Sequence, residues 1–122
     1  MMIAMMLVGA GGFFGAMARY AISLRWNSDG SSKIPAGTLF VNLSGSFLIG
    51  LLTGAGVGGM VMLLFGVGFL GAFTTFSTLN YEVLQLHLKK HKKALLIYMF
   101  LTYGGGLLLV CLGFLTGGIL PL

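Results

Sequence analysis

Charge sits in so few places along this chain that its path is largely decided before any helix is drawn. From residue 34 to residue 120 the formally charged side chains are Glu82 and the lysines of the run HLKKHKK at residues 87–93. Before them, Arg19, Arg25, Asp29 and Lys33 fall close together. Between these points lie apolar runs long enough to cross a ~30 Å hydrocarbon layer, which takes about 20 helical residues. The 122 residues are 57% hydrophobic and 7% charged, with mean hydropathy +1.03. A soluble domain of that length has too little interior to hide so much apolar surface. The sequence therefore predicts a single all-α integral membrane domain with four transmembrane helices at about residues 1–24, 37–54, 60–86 and 94–120. The 21 glycines suit helices that pack backbone to backbone. Cys111 stands alone and cannot form an internal disulfide. With Arg19 the first cation, a signal peptide is not expected.

The third span is the one the others serve. As one helix it would exceed 40 Å at ~1.5 Å per residue, more than a bilayer core needs. In its middle, GFLGAFTTFSTLNYE sets Thr74, Thr75, Ser77 and Thr78 just after Gly71, with Phe73 and Phe76 among them. Hydroxyl and β-branched residues beside glycine are poor helix formers whose side chains compete for backbone partners. One reading is a helix whose hydroxyls bond back to its own carbonyls. The other, adopted here, is a helix broken between Gly71 and Thr75 that then resumes, which lipid tolerates only where protein or a water-filled path satisfies the freed groups.

The remaining spans carry few polar residues. In the first, Gly11 and Gly15 form a small-residue face, and Arg19 either snorkels to the headgroups or acts as a buried or pore-mouth cation. The polar loop at residues 25–35 holds Trp26, an interfacial residue, and ends in Pro35 at a helix start. In the second span Thr38, Asn42 and Ser46 share one helical face. The Asn42 amide must find a partner in hydrocarbon, either as an interhelical hydrogen bond or as a donor facing an anion. Residues 55–59 form a glycine-rich turn. In the run 87–93, His87 and His91 are four apart but lack a third metal ligand, so the run reads as a topology signal with affinity for anionic headgroups. On the fourth span Tyr98, Thr102, Gly106 and Val110 make one stripe, and the glycines at 104–106, 113 and 117 mark close backbone approach.

No catalytic constellation is present: no nucleophile–base pair, no phosphate loop, no Cys/His/Asp/Glu cluster. The available polar groups are hydroxyls, an amide, backbone N–H groups at a helix break, and phenylalanine edges, all of which favour anions. A passive anion path is the chemistry they suit. Glu82, a lone acid late in the third span, is the candidate for the competing reading of a proton-coupled exporter.

The segments GGFFGAMARY, GTLFVNLSGSFLIG and GFLGAFTTFSTLNYE together resemble the Fluc/CrcB family of fluoride channels, along nearly the whole chain. The resemblance implies an antiparallel dimer with two narrow pores along its interface. It also implies a central Na⁺ held by main-chain carbonyls, mapping onto Gly71 and Thr74. It places Asn42 at the pore asparagine, Phe76 at the first phenylalanine of an aromatic box and Glu82 at the acid after it. Tyr98 and Thr102 fall at the start of a polar track, and Arg19 at a first-helix arginine; Thr38 and Ser77 are counted with the same path. Three positions depart from the family pattern: Leu79 replaces the second box phenylalanine, and Gly106 and Val110 stand where hydroxyls are expected. Phe73 is a possible substitute ring. The function implied is passive, fluoride-selective export, with HF entering uncharged and F⁻ leaving. The alternatives are the exporter above and a non-conducting packing subunit.

Charge also predicts orientation in the inner membrane of a prokaryote. With four spans, residues 25–35 and 87–93 share one side, which holds Arg25, Lys33, Lys89, Lys90, Lys92 and Lys93 against Asp29. The termini and residues 55–59 share the other, which has no lysine or arginine. The bias predicts cytoplasmic charged loops and outside termini. An antiparallel dimer then calls for an oppositely oriented homologous subunit in preference to a second copy.

Overall fold

The computed structural model describes residues 1–26 and 34–120 and is helical almost throughout. Four helical stretches are long and apolar enough to cross a membrane: Met2–Trp26, Ala36–Ala55, Gly59–Leu88 and Lys92–Ile119. The first is α1, the second α2 and the last α5. The third is two helices, α3 over residues 59–73 and α4 over Ser77–Leu88. Each end lies within a few residues of the limit set by hydropathy. Most of the loop expected at residues 25–35, with Asp29 and Lys33, lies outside the described residues.

Helix ends follow local chemistry. Pro35 sits extended before α2, and its carbonyl accepts the Leu39 N–H at 3.1 Å. At the other end Gly56 takes the left-handed conformation, φ 66°, while Gly56 N–H bonds to the Thr53 carbonyl and Val57 N–H to that of Leu52. This closure needs a residue free of Cβ strain, which the glycine-rich turn supplies. Trp26 at the end of α1 packs edge-on against Phe40, with ring centroids 4.7 Å apart.

Two helix pairs are joined through glycine. A Cβ at Gly50 or Gly54 of α2 would run into the carbonyl oxygen of Val110 or Phe114 in α5. In return, a Cβ at Gly113 or Gly117 of α5 would meet the carbonyl oxygen of Phe47 or Leu51 in α2. The two four-residue repeats interlock, so main chain lies on main chain. α1 meets α3 in the same way, Gly11 against the Leu64 carbonyl, Gly15 against that of Phe69, and Gly68 against that of Val8. Over Met62–Leu70, α3 is wound as a π-helix. This is a longer stretch than the usual single-turn bulge, and within it a Cβ at Gly66 would strike the Met62 sulfur.

The third span breaks at residues 74–76, in the later part of the stretch predicted, and Gly71 itself is helical with φ −60° and ψ −37°. Thr74, at ψ 159°, turns the chain out of the helix. The break separates two cores. Above it, Val41, Leu70 and Phe73 pack with Ala18, Ile22 and Ile49. Below it, Leu79, Leu86 and Tyr98 pack with Leu39, Val83 and Leu95. α3 thus leans on α1 and α2, whereas α4 leans on α5.

The glycine contacts yield a paired test. Gly117→Ala must displace main chain and should lower stability by about 1–3 kcal/mol. Gly118→Ala, where a Cβ meets nothing within 4 Å, should be neutral or stabilising by up to ~1 kcal/mol through helix propensity. Equal unfolding midpoints for the two purified variants would contradict the interlock.

Candidate functional site

The break leaves main-chain groups that a continuous helix would have paired, and α2 takes up two of them. Asn42 Nδ2 donates to the Thr75 carbonyl at 3.0 Å, and Asn42 Oδ1 accepts the Thr75 N–H at 2.9 Å. A carboxamide offers a donor and an acceptor side by side as a peptide group does, so Asn42 pairs with Thr75 much as a neighbouring strand would. The Thr74 N–H and hydroxyl both reach the Leu70 carbonyl, at 3.0 and 2.8 Å. Thr75 Oγ1 accepts the Thr78 N–H at 3.2 Å and so caps α4. Among the described residues, the N–H groups of Phe76, Ser77 and Leu79 and the carbonyls of Gly71, Ala72, Phe73 and Thr74 stay unpaired. The donors are the positive end of α4 and the carbonyls the negative end of α3.

Both ends border a cavity of about 550 Å³. α2 contributes Asn42, Gly45, Ser46 and Ile49, and α3 contributes Gly66, Leu70 and Gly71. Thr74, Thr75 and Phe76 come from the break, Leu79 from α4, and Thr102, Tyr103, Gly106 and Leu107 from α5. Gly45 makes room for the Thr74 methyl, which a Cβ there would strike. The Thr102 hydroxyl is buried without a hydrogen-bond partner. Elsewhere the helix hydroxyls of Ser44, Ser46, Thr53, Thr74 and Thr116 bond back to a carbonyl of their own helix at 2.7–2.8 Å. Thr102, one of the residues lining the cavity, therefore keeps a buried donor unspent. Phe76 is 65% exposed, a ring covered on one side only.

Of the residues singled out from sequence, Asn42, Phe76, Leu79, Thr102, Gly71 and Thr74 meet on this wall. Others gather below it. The Tyr98 hydroxyl donates to Glu82 Oε1 at 3.1 Å, and Thr38 is hydrogen-bonded to both side chains. Tyr98 is wholly buried, so its hydroxyl holds Glu82 and does not line the cavity. Ser77 is exposed, with Oγ 3.5 Å from Thr75 Oγ1. Arg19 is half-buried on α1, off the cavity wall and without a partner among the described residues. Phe73 is buried in the upper core, off the cavity wall, and stacks on Phe69, centroids 5.6 Å apart. Tyr103 escapes the sequence pattern because it stands one residue off the Tyr98–Thr102–Gly106 stripe. Its ring, ahead of three glycines, is the available signal.

Residues 6–114 match the family model described as CrcB-like protein, Camphor Resistance (CrcB). The chain belongs to the CrcB family. It is similar to the fluoride-specific ion channel FluC 1 of Geobacillus kaustophilus, at 48% identity over 95% of this chain and 99% of the relative. Its identity to FluC 2 of Bacillus cereus is 44%, over 97% of this chain and all of the relative. FluC 1 of Listeria monocytogenes is 39% identical over 96% of this chain. In this CrcB-family chain the cavity wall carries two aromatic rings, Phe76 and Tyr103, together with Leu79 and Thr102.

Asn42→Leu keeps bulk but strands both Thr75 groups. Each buried group left unpaired costs about 1–3 kcal/mol, so this variant should lose about 2 kcal/mol or more. Ser46→Ala removes only a bond back to the Asn42 carbonyl and should change stability by less than ~1 kcal/mol. Denaturation curves of the two that coincide would mean that Asn42 does not hold the break.

Proposed function

We propose that this chain is one subunit of a passive, fluoride-selective channel that lets F⁻ leave the cell, with the cavity at the break as part of the ion path. The observation that carries the reading is the set of unspent donors around that cavity: the N–H groups at the start of α4, the second N–H of the Asn42 amide, and the buried Thr102 hydroxyl. Fluoride is small and strongly hydrated, so a narrow line of donors and ring edges must replace its water. Passage of this kind needs neither ATP nor a coupled proton.

The same cavity supports a second subunit. Main-chain groups left unpaired at membrane depth cost several kcal/mol each, and the half-covered Phe76 calls for a neighbour. The carbonyls of Gly71 and Thr74 are free acceptors beside the space where a Cβ on Gly71 would meet nothing. They fit a hard cation such as Na⁺, whose shell needs more oxygens than one chain offers here. When bound, Na⁺ would neutralise the negative end of α3; Gly71 and Thr74 would hold it at the centre of an antiparallel dimer.

Reconstituted liposomes test the function directly. F⁻ efflux with Cl⁻ excluded supports the channel, whereas proton-coupled cation uptake would sink it, and silence with every homologous partner would leave a packing subunit. Within that assay, Thr102→Val is the discriminating variant. It removes a hydroxyl that bonds to nothing, so stability should hold or rise, while F⁻ flux should fall about tenfold or more if that donor replaces fluoride's water. Phe76→Ile, which keeps bulk and loses the ring edge, should slow flux without preventing assembly. Wild-type flux through both variants would remove the cavity from the path.

Partner and orientation follow from charge. Six cations on one side of the membrane against none on the other favour a single orientation, so the opposite subunit is best supplied by a homologue of reverse bias. Cysteines added at the termini of the chain expressed alone should label from outside intact cells. Equal labelling from both sides, with fluoride conductance by the lone chain, would establish a dual-topology homodimer instead.

A further inference from the structure

The turn between α4 and α5 concentrates positive charge in a way that neither packing nor conduction uses. α4 ends at Leu88 and α5 begins at Lys92, so three residues reverse the chain. They close by two hydrogen bonds, Lys90 N–H to the His87 carbonyl at 3.1 Å and His91 N–H to the Leu86 carbonyl at 3.0 Å. Lys90 adopts φ 62°, alone among the described non-glycine residues in having positive φ. Glycine or asparagine is the ordinary occupant of that position; here a cation stands where the backbone favours its absence. Lys89, Lys90, Lys92 and Lys93 are all exposed and have no partner among the described residues. Glu82, the one acid among those residues, is bonded to Tyr98.

We infer that this turn is a seat for the headgroups of anionic phospholipids. Its place in the fold selects that occupant. It joins two helical stretches, Gly59–Leu88 and Lys92–Ile119, each long and apolar enough to span a bilayer, and is too short to rise beyond the surface, so its ammonium groups are held in the layer of lipid phosphates. Lysine suits such a place, since each is a compact charge on a flexible stem, able to follow a mobile headgroup without fixed geometry. Clustered cations at a membrane surface attract acidic lipid additively. Headgroup binding of this kind does not depend on whether the chain conducts.

The full chain, reconstituted in phosphatidylcholine vesicles containing a minor fraction of phosphatidylglycerol, provides the test. Spin-labelled forms of the two lipids report which is held at the protein surface. The wild type should prefer phosphatidylglycerol by about fivefold or more at low ionic strength, and the preference should shrink as salt is added. The combined variant Lys89→Gln, Lys90→Asn, Lys92→Gln, Lys93→Gln should lose it, asparagine being chosen because it tolerates left-handed backbone. Arginine at the same four positions should keep it, which separates lost charge from a disturbed turn. No preference in the wild type, or an undiminished one in the neutral variant, would overturn the proposal. So would millimolar inorganic phosphate abolishing the preference where chloride of equal ionic strength does not, since the turn would then be a site for a soluble anion.

Discussion

The two hydrogen bonds between Asn42 and Thr75 are the interaction on which the rest of the site depends. A helix interrupted in lipid strands backbone donors and acceptors, and a strand or a water layer is not at hand to meet them. One carboxamide from a neighbouring helix meets a donor and an acceptor at once. It can do so only if α2 stands at the right height, and that is set elsewhere. Gly50 and Gly54 seat the carbonyls of Val110 and Phe114, and Gly113 and Gly117 those of Phe47 and Leu51, so α2 cannot slide along α5 without driving main chain onto carbonyl oxygen. The glycine interlock fixes α2, α2 delivers Asn42, Asn42 holds the break, and the break opens the cavity.

Packing explains why the interruption stays where it is. α3 is bound to α1 by glycine contacts and to α2 through Val41, Leu70 and Phe73. α4 belongs to a different core, with Tyr98 and Leu95 of α5. A continuous helix would have to give up one core to keep the other. The three residues 74–76 are where the chain changes partners, and Thr75 caps the second half while Asn42 holds its main chain. Glu82, tied to Tyr98 and Thr38, fastens α4 to α5 and α2 further along the helix.

Much of this is legible in the sequence, and what is not has a physical reason. The helix ends lie within a few residues of the limits read from hydropathy, and of the glycines read as close-packing, Gly11, Gly15, Gly113 and Gly117 meet neighbouring main chain. The break is foreshadowed over Gly71–Thr75 and falls at the later end of that stretch. Glycine permits an interruption without demanding one, and here the neighbouring carbonyl of Leu70 still pairs with Thr74. The partner of Asn42 lies 33 residues away, and no local pattern separates a clasp from a pore-facing amide; the structure shows the clasp and leaves one amide hydrogen over. The π-winding of Met62–Leu70 has no signature in the sequence, since periodicity over nine residues does not distinguish 3.6 from wider spirals. Tyr98 and Thr102 share a stripe, yet one hydroxyl is spent on Glu82 and the other is free, a difference set by distance to an acid that the stripe does not encode.

Direction of donation, more than the number of polar residues, decides what the cavity favours. Ser46 stands on the wall, but its proton goes to the Asn42 carbonyl, so it presents lone pairs to the cavity and repels an anion. Gly106 lies opposite, and a Cβ on it would come 3.4 Å from that same Ser46 oxygen. A side chain at 106 would therefore lie in contact with Ser46. Val110 offers no donor either, and its carbonyl oxygen is the atom that a Cβ on Gly50 would strike. The donors contributed by this chain thus lie at the break, on Asn42 and Thr102, and at the hydroxyl of Tyr103 beside Thr102. In the proposed channel, an anion passing beyond Thr102 along α5 would meet Tyr103, Gly106, Leu107 and lone pairs, and the second subunit of that proposal would have to add donors over that length.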